Sequence, residues 1–251
     1  SSTKAFGSSS QTPFIVAFLF SSSQMRITVF ASSSKTTPKA FVEEAYRLGV
    51  LLAEGGHTCV SGGGNFGGMG SLNRGVKDLG GRVEAVIHRR FIVDGNEFRD
   101  ADELVIVDGA GLAERKQKLA ERSDAVIVLP GGLGTWDEFW EFAAWRQLGF
   151  YTAPLTLVNQ DGFYDGFVNQ LQTGHAHGLL RMPPEKIVHV TASAKEALTW
   201  CVAVSKEISH QPHAARKRGS PRTPFWSGVA TGSFTTGVAG AIVLLSRHAK
   251  L

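Results

Sequence analysis

The sequence predicts an α/β protein with a Rossmann-like, doubly wound, mostly parallel sheet and helices on both faces. Three observations carry this prediction. From residue 26 onward, short apolar runs alternate with stretches of helical period. Two glycine-rich turns each stand between such a run and such a stretch. The chain has 251 residues, 43% hydrophobic and 19% charged, which suits one domain of ordinary size with a substantial core. A glycine turn between strand and helix exposes backbone N–H groups beside a helix N-terminus, and that combination suits a phosphate. Two such turns at strand C-terminal ends point to the crevice where open parallel sheets bind ligands.

Three segments are expected. Residues 1–24 form a serine-rich extension, 25–210 the α/β domain, and 211–251 a basic linker with an apolar tail. The extension has no acidic residue, and its apolar run at 14–20 is too short to span a bilayer. It reads as a targeting segment or a non-native start. The first strand is Arg26-Ile27-Thr28-Val29-Phe30, and Ala31-Ser32-Ser33-Ser34 is the loop leaving it. Residues 38–54 carry Phe41, Ala45, Leu48 and Leu52 at helical spacing and stop at Gly55-Gly56. Thr58-Cys59-Val60 is the second strand, followed by the turn Ser61-Gly62-Gly63-Gly64-Asn65-Phe66-Gly67-Gly68-Met69-Gly70 and a helix over 68–79. The third strand is 82–87. This β-α-β-α-β alternation implies parallel strands joined by right-handed crossovers.

Residues 88–102 are polar and irregular, a candidate lid or specificity loop. Residues 104–107 are a fourth strand, and 112–122 a helix carrying Arg115 and Lys116. Ala125-Val126-Ile127-Val128-Leu129 is a buried strand that runs into Pro130-Gly131-Gly132-Leu133-Gly134-Thr135-Trp136-Asp137-Glu138. Thr135 is placed to cap the next helix or to donate its hydroxyl to an anion. Glu138 falls in the first helical turn, on the lip of the pocket, where a capping carboxylate is the alternative reading. The helix 136–148 is apolar on nearly all sides, so it should be covered twice, the second time by another subunit or by the same chain. Residues 155–158 are a strand, 162–176 a helix, 187–190 the last strand and 193–208 the last helix.

His175, His177 and His189 lack metal-ligand spacing, and no metal or cofactor is expected. Cys59 and Cys201 are far apart and give no disulfide framework. The net charge of +4 owes much to Arg216-Lys217-Arg218 and Arg222, near the C-terminus, and no nucleic-acid partner is expected. Residues 226–245 are uncharged and long enough to span a bilayer, but their glycines and hydroxyl residues make them a poor insertion segment. A loosely docked or disordered tail is expected, with a membrane anchor as the alternative. The expected compartment is the cytoplasm, with organelle targeting as the alternative.

The stretch PGGLGTWDE resembles the PGGxGTxxE motif of the LOG ("lonely guy") family, and SGGGNFGGMG resembles its GGGxxGxMG partner. Glu114-Arg115-Lys116 stands where that family has its Arg-Lys pair, and the resemblance runs from about residue 25 to about 207. It implies a phosphoribohydrolase that releases free base from nucleoside 5′-monophosphates, with N6-prenylated AMP as typical substrate. It implies catalytic Glu138 and Arg115. It implies substrate contacts from Lys116, Gly131, Gly132, Leu133, Gly134, Thr135, Gly63, Gly64, Ser33 and Glu97. It also implies a homodimer whose paired sites lie near the 136–148 helix. The family's Met-His before Glu-Arg-Lys is Leu112-Ala113 here, and Ala144 replaces a usual threonine. An older name for such proteins, lysine decarboxylase-like, finds no pyridoxal motif to support it.

A non-catalytic nucleotide or cofactor carrier of the same fold is the alternative function. A carrier would keep the glycines but would not need Glu138 together with Arg115. A dehydrogenase is disfavoured, because the triple-glycine turn lacks dinucleotide spacing after the first strand.

Overall fold

In the computed structural model, residues 24–210 are described, apart from Asp94 and some side chains near the end of the last helix. The readings for 1–23 and 211–251 lie outside the described residues. Seven strands form one sheet: β1 (Arg26–Phe30), β2 (Thr58–Ser61), β3 (Arg82–His88), β4 (Glu103–Val107), β5 (Ala125–Val128), β6 (Leu155–Val158) and β7 (His189–Thr191). Their order across the sheet is β4-β3-β2-β1-β5-β6-β7. Every pairing is parallel. The chain therefore winds outward one way from β1 to β4, then returns to the centre and winds the other way from β5. Between β1 and β5 the connections diverge, which opens a crevice at the strand C-termini.

Alternate residues of a strand face opposite sides of the sheet, and the core divides accordingly. On one face Ile27, Val29, Cys59, Val83 and Ile127 pack against α1 (Lys39–Glu54), α2 (Gly67–Asp78) and α7 (Ala194–His210). On the other, Phe30, Val60, Val86, Val126 and Val128 pack against α3 (Ala113–Glu121), α4 (Leu133–Leu148), α5 (Asp165–Ala176) and α6 (Pro184–Ile187). Burial on both faces explains the near-continuous apolar strands. The exceptions are the two edge strands, β4 with Leu104 and Ile106 and β7 with Val190 more than a third exposed.

Several boundaries move. α4 begins at Leu133 rather than Trp136, because Gly132 is its N-cap and the PGG turn leads straight into the helix. Asp161 adopts φ +53, and this break delays α5 to Asp165. Residues 184–187 form a short helix, with Pro184 at its first turn, so the last strand starts at His189. The expectation for α4 holds on one side only. Phe139 and Phe142 are fully buried, whereas Trp136, Trp140 and Trp145 are half-buried and Ala144 and Leu148 exposed. Among the described residues no helix is long and apolar enough to cross a membrane.

α1 and α2 cross in backbone contact. A Cβ on Gly49 would collide with the Leu72 carbonyl oxygen, and one on Gly75 with that of Tyr46. Alanine normally gains about 1 kcal/mol over glycine inside a helix. Here overpacking against backbone should outweigh that gain. Gly49→Ala is expected to lower unfolding stability by about 1–3 kcal/mol, measured by urea titration. Gly166→Ala on α5, where the added Cβ meets open space, should be neutral or stabilising.

Candidate active site

The loops leaving the C-terminal ends of β1, β2, β3, β4 and β5 enclose a cavity of about 550 Å³. Its wall includes Ser32, Ser33 and Ser34 after β1, Gly62 and Gly64 after β2, Ile87 and Phe91 at and beyond the end of β3, and Leu112 and Arg115 around the start of α3. Gly132, Leu133, Gly134, Thr135, Asp137 and Glu138 close it from α4. The N-termini of α2 and α4 both open onto the cavity. In α4 the first residues of the helix have no preceding turn to bond to, so the N–H groups of Leu133, Gly134 and Thr135 stay available to an anion.

At the floor Glu138 and Arg115 form an ion pair with Nη1 to Oε1 at 2.7 Å, and both are more than nine-tenths buried. Arg115 is held at two further points. Its Nε donates to the Val86 carbonyl at 2.9 Å, and its Nη2 to the Gly62 carbonyl at 3.2 Å. One guanidinium thus ties the ends of β2 and β3 to the second turn of α4, where Glu138 falls because the helix starts at Leu133 and not, as expected, at Trp136. A Cβ at Gly62 would strike that guanidinium, which is why glycine stands there. Burial pushes the Glu138 carboxyl above its ordinary value of 4.5, against the opposing charge and hydrogen bond of Arg115. A carboxylate tuned upward within reach of a cavity is suited to proton transfer near neutral pH.

The other expected residues divide. Ser33, Gly64, Gly132, Leu133, Gly134 and Thr135 line the cavity, whereas Gly63 and Gly131 stand behind it. Lys116 does not line it. Its ammonium pairs with Asp137 and Glu141, one turn apart on α4, so it supports the helix that carries Glu138. Those carboxylates hold the Lys116 ammonium, against burial, above its ordinary value. Glu97 is also off the wall, with Oε1 accepting from Arg99 Nε at 2.7 Å, and its neighbour Asn96 faces the cavity instead.

The segment expected to be a lid is fastened by its main chain. Asn65 N–H donates to Asn96 O and Phe98 N–H to Gly63 O, each at 2.8 Å, and Gly64 bridges Glu97. It forms a wall. The sequence reading missed Lys35, Arg90, Asn96 and Phe91 as lining residues. The basic pair Arg89-Arg90 beside a strand end was the available signal for one of them. Among the described residues no cluster of three metal-ligating side chains occurs.

The fold and this site define a Rossmann-like α/β class, with a glycine turn and helix N-terminus set beside a buried carboxylate–guanidinium pair. Comparison with known proteins agrees. The family described as possible lysine decarboxylase matches residues 69–201. The cytokinin riboside 5′-monophosphate phosphoribohydrolase LOG of Oryza sativa subsp. japonica is 34% identical over 171 residues, 68% of this chain and 70% of its own. The probable phosphoribohydrolase LOGL1 of the same organism is 35% identical over 191 residues, 76% of this chain and 84% of its own. The chain belongs to the LOG family. Among solved structures, the molybdenum cofactor carrier protein of Chlamydomonas reinhardtii superposes with TM-score 0.54 at 20% identity, covering 75% of this chain and 99% of that one. A molybdenum cofactor binding protein of Rippkaea orientalis gives 0.53 at 24% identity, covering 74% and 98%. These two likenesses concern the fold alone.

The ion pair generates an expectation about charge. Glu138→Gln keeps size and hydrogen bonding but removes the carboxylate charge, and should lower kcat by roughly 100-fold or more for a base-releasing reaction. Wild-type activity should rise with pH through a carboxyl pKa above 4.5, because Glu138 must be ionised to accept a proton. That acid limb should vanish in the variant. Near-normal turnover with an unchanged pH profile would reduce Glu138 to a structural partner of Arg115.

Proposed function

We propose that this chain hydrolyses the N-glycosidic bond of adenosine 5′-monophosphates, N6-prenylated ones above all, to free base and ribose 5-phosphate. The observation that carries the reading is the buried Glu138–Arg115 pair set beside the α4 N-terminus. The relatives' names point to the same reaction. The bond from C1′ to the base nitrogen breaks, its electron pair leaves with the base, and positive charge builds on the ribose. The Glu138 carboxylate stabilises that charge and takes a proton from the attacking water, whose oxygen bonds to C1′. The departing base takes up a proton from solvent and Glu138 releases to solvent the one it took from water, so the carboxylate is restored. Arg115 fixes the carboxylate in place as a forked, permanently charged partner. The exposed N–H groups of Leu133, Gly134 and Thr135 hold the 5′-phosphate, with Ser33 across the cavity. A carrier of this fold would bind its ligand here and release it unchanged.

The assembly is proposed to be a homodimer that covers the rest of α4. Half-buried Trp136, Trp140 and Trp145, with exposed Leu148 and Phe150 at the helix end, supply the apolar surface. Sedimentation should give twice the chain mass, and Leu148→Glu should shift it toward monomer; a monomeric wild type would refute the pairing.

The phosphate assignment has its own consequence. Phosphate contacts that position the sugar contribute to turnover as well as affinity. Each charge-assisted bond is worth roughly 1.5–3 kcal/mol, so losing two should cost on the order of a hundredfold or more in kcat/KM. AMP and N6-isopentenyl-AMP should therefore be cleaved and the matching nucleosides barely at all, read as free base by chromatography. Equal kcat/KM for nucleoside and monophosphate would remove the phosphate from the α4 turn. Tight binding of AMP with no base released would favour the carrier.

A further inference from the structure

Behind the PGG turn, away from the cavity, lies a buried phenol that the proposed reaction does not use directly. Tyr164 precedes α5 and is 1% exposed. Its hydroxyl donates to the Leu129 carbonyl at 2.8 Å. Leu129 directly precedes Pro130, so this bond sits at the point where the chain leaves β5 and turns into α4. The phenol is itself fixed. Asn159 Oδ1 accepts the Tyr164 N–H at 2.6 Å, and Asn159 Nδ2 donates to Asp165 at 2.7 Å. The ring is packed by Phe163 and Phe167, with centroids 4.8 and 5.1 Å away.

The rest of the turn has little else to hold it. Leu129 N–H donates to Phe30 O at 2.8 Å, and Pro130 O accepts from Ser32 N–H at a long 3.4 Å. Proline has no N–H to give. Cβ atoms on Gly132 and Gly134 would meet nothing within 4 Å, whereas one on Gly131 would collide with the Thr135 side chain. Tyr164 thus holds the turn where it leaves β5, and Thr135 backs its middle.

We propose that Tyr164 is a positioning residue for the phosphate-binding turn, setting the direction of the α4 N-terminal N–H groups through Leu129. This rests on the reading that the turn holds a 5′-phosphate. Removing the hydroxyl takes this partner from the buried Leu129 carbonyl, a loss equal to about tenfold in a binding constant.

The test is binding of ribose 5-phosphate by calorimetry to the full chain and to Tyr164→Phe, with Tyr46→Phe on the exposed face of α1 as control. Tyr164→Phe should weaken ribose 5-phosphate about tenfold and leave adenine binding unchanged, while Tyr46→Phe changes neither. A lower melting temperature with unaltered ribose 5-phosphate affinity would overturn the proposal, because a merely structural tyrosine would act that way. Should Tyr164→Phe not fold, Asn159→Ala decides: it releases the Tyr164 main chain that Asn159 holds and keeps the hydroxyl, and should weaken ribose 5-phosphate while leaving adenine binding unchanged; unaltered ribose 5-phosphate affinity in a folded Asn159→Ala would overturn the proposal. Neither readout needs turnover. If the wild type binds ribose 5-phosphate but does not cleave AMP, the hydrolase reading falls and the role of Tyr164 stands. If it does not bind ribose 5-phosphate, both fall.

Discussion

One guanidinium holds the site together. Arg115 reaches from α3 to the carbonyl ends of β2 and β3 and to the carboxylate of α4. Its charge is taken out of water, so each of these bonds matters: breaking a buried pair by deleting one partner typically costs about 3–5 kcal/mol. Lysine could not replace it, since a point charge cannot make three divergent planar bonds. The requirement spreads outward. Gly62 must lack a side chain to admit the guanidinium, and α4 must start at Leu133 for Glu138 to meet it one turn later. Lys116, next in sequence, faces the other side of the same helix turn and secures Asp137 and Glu141.

The sheet order explains why these groups converge. A parallel sheet places all its outgoing loops at one end, and the reversal between β1 and β5 separates two of them. Ser32 and Pro130 sit on opposite sides of that gap and are joined by a single backbone bond. The two core clusters hold the sheet from both faces, so the cavity walls stand on rigid supports while the cavity itself stays open. α1 and α2 pack backbone to backbone on one face, through Gly49 and Gly75, which fixes where the α2 N-terminus points.

Much of this was legible in the sequence, and what was not has physical causes. The strand-turn-helix order around the two glycine turns is local, so the elements and their polarity could be read directly. Glu138 and Arg115 could be named as a pair only through the motif, since 23 residues separate them and periodicity carries no long-range geometry. Lys116 was read as a substrate contact because its two carboxylate partners lie on another helix, where spacing along the chain says nothing. Glu97 was misplaced for a similar reason. The irregular segment carrying it is fixed by main-chain bonds to the triple-glycine turn, which no side-chain pattern announces. The α5 boundary failed at Asp161, which takes a left-handed backbone that aspartate adopts only occasionally and that helical periodicity does not announce.

That fastened segment has a consequence for how such a site diversifies. Residues 95–98 are bound to the glycine turn through peptide groups, apart from the Asn65 side-chain bond to Gly95. Side chains along this wall can therefore be exchanged without loosening it, as type can be reset in a locked frame. Phe91 and Asn96 face the cavity from this stretch and its approach, whereas Arg115 and Glu138 are anchored on the far elements. Changes along the wall can thus reshape the cavity while the carboxylate and guanidinium at its floor stay where they are. The wall and the ion pair are inherited on separate pieces of backbone.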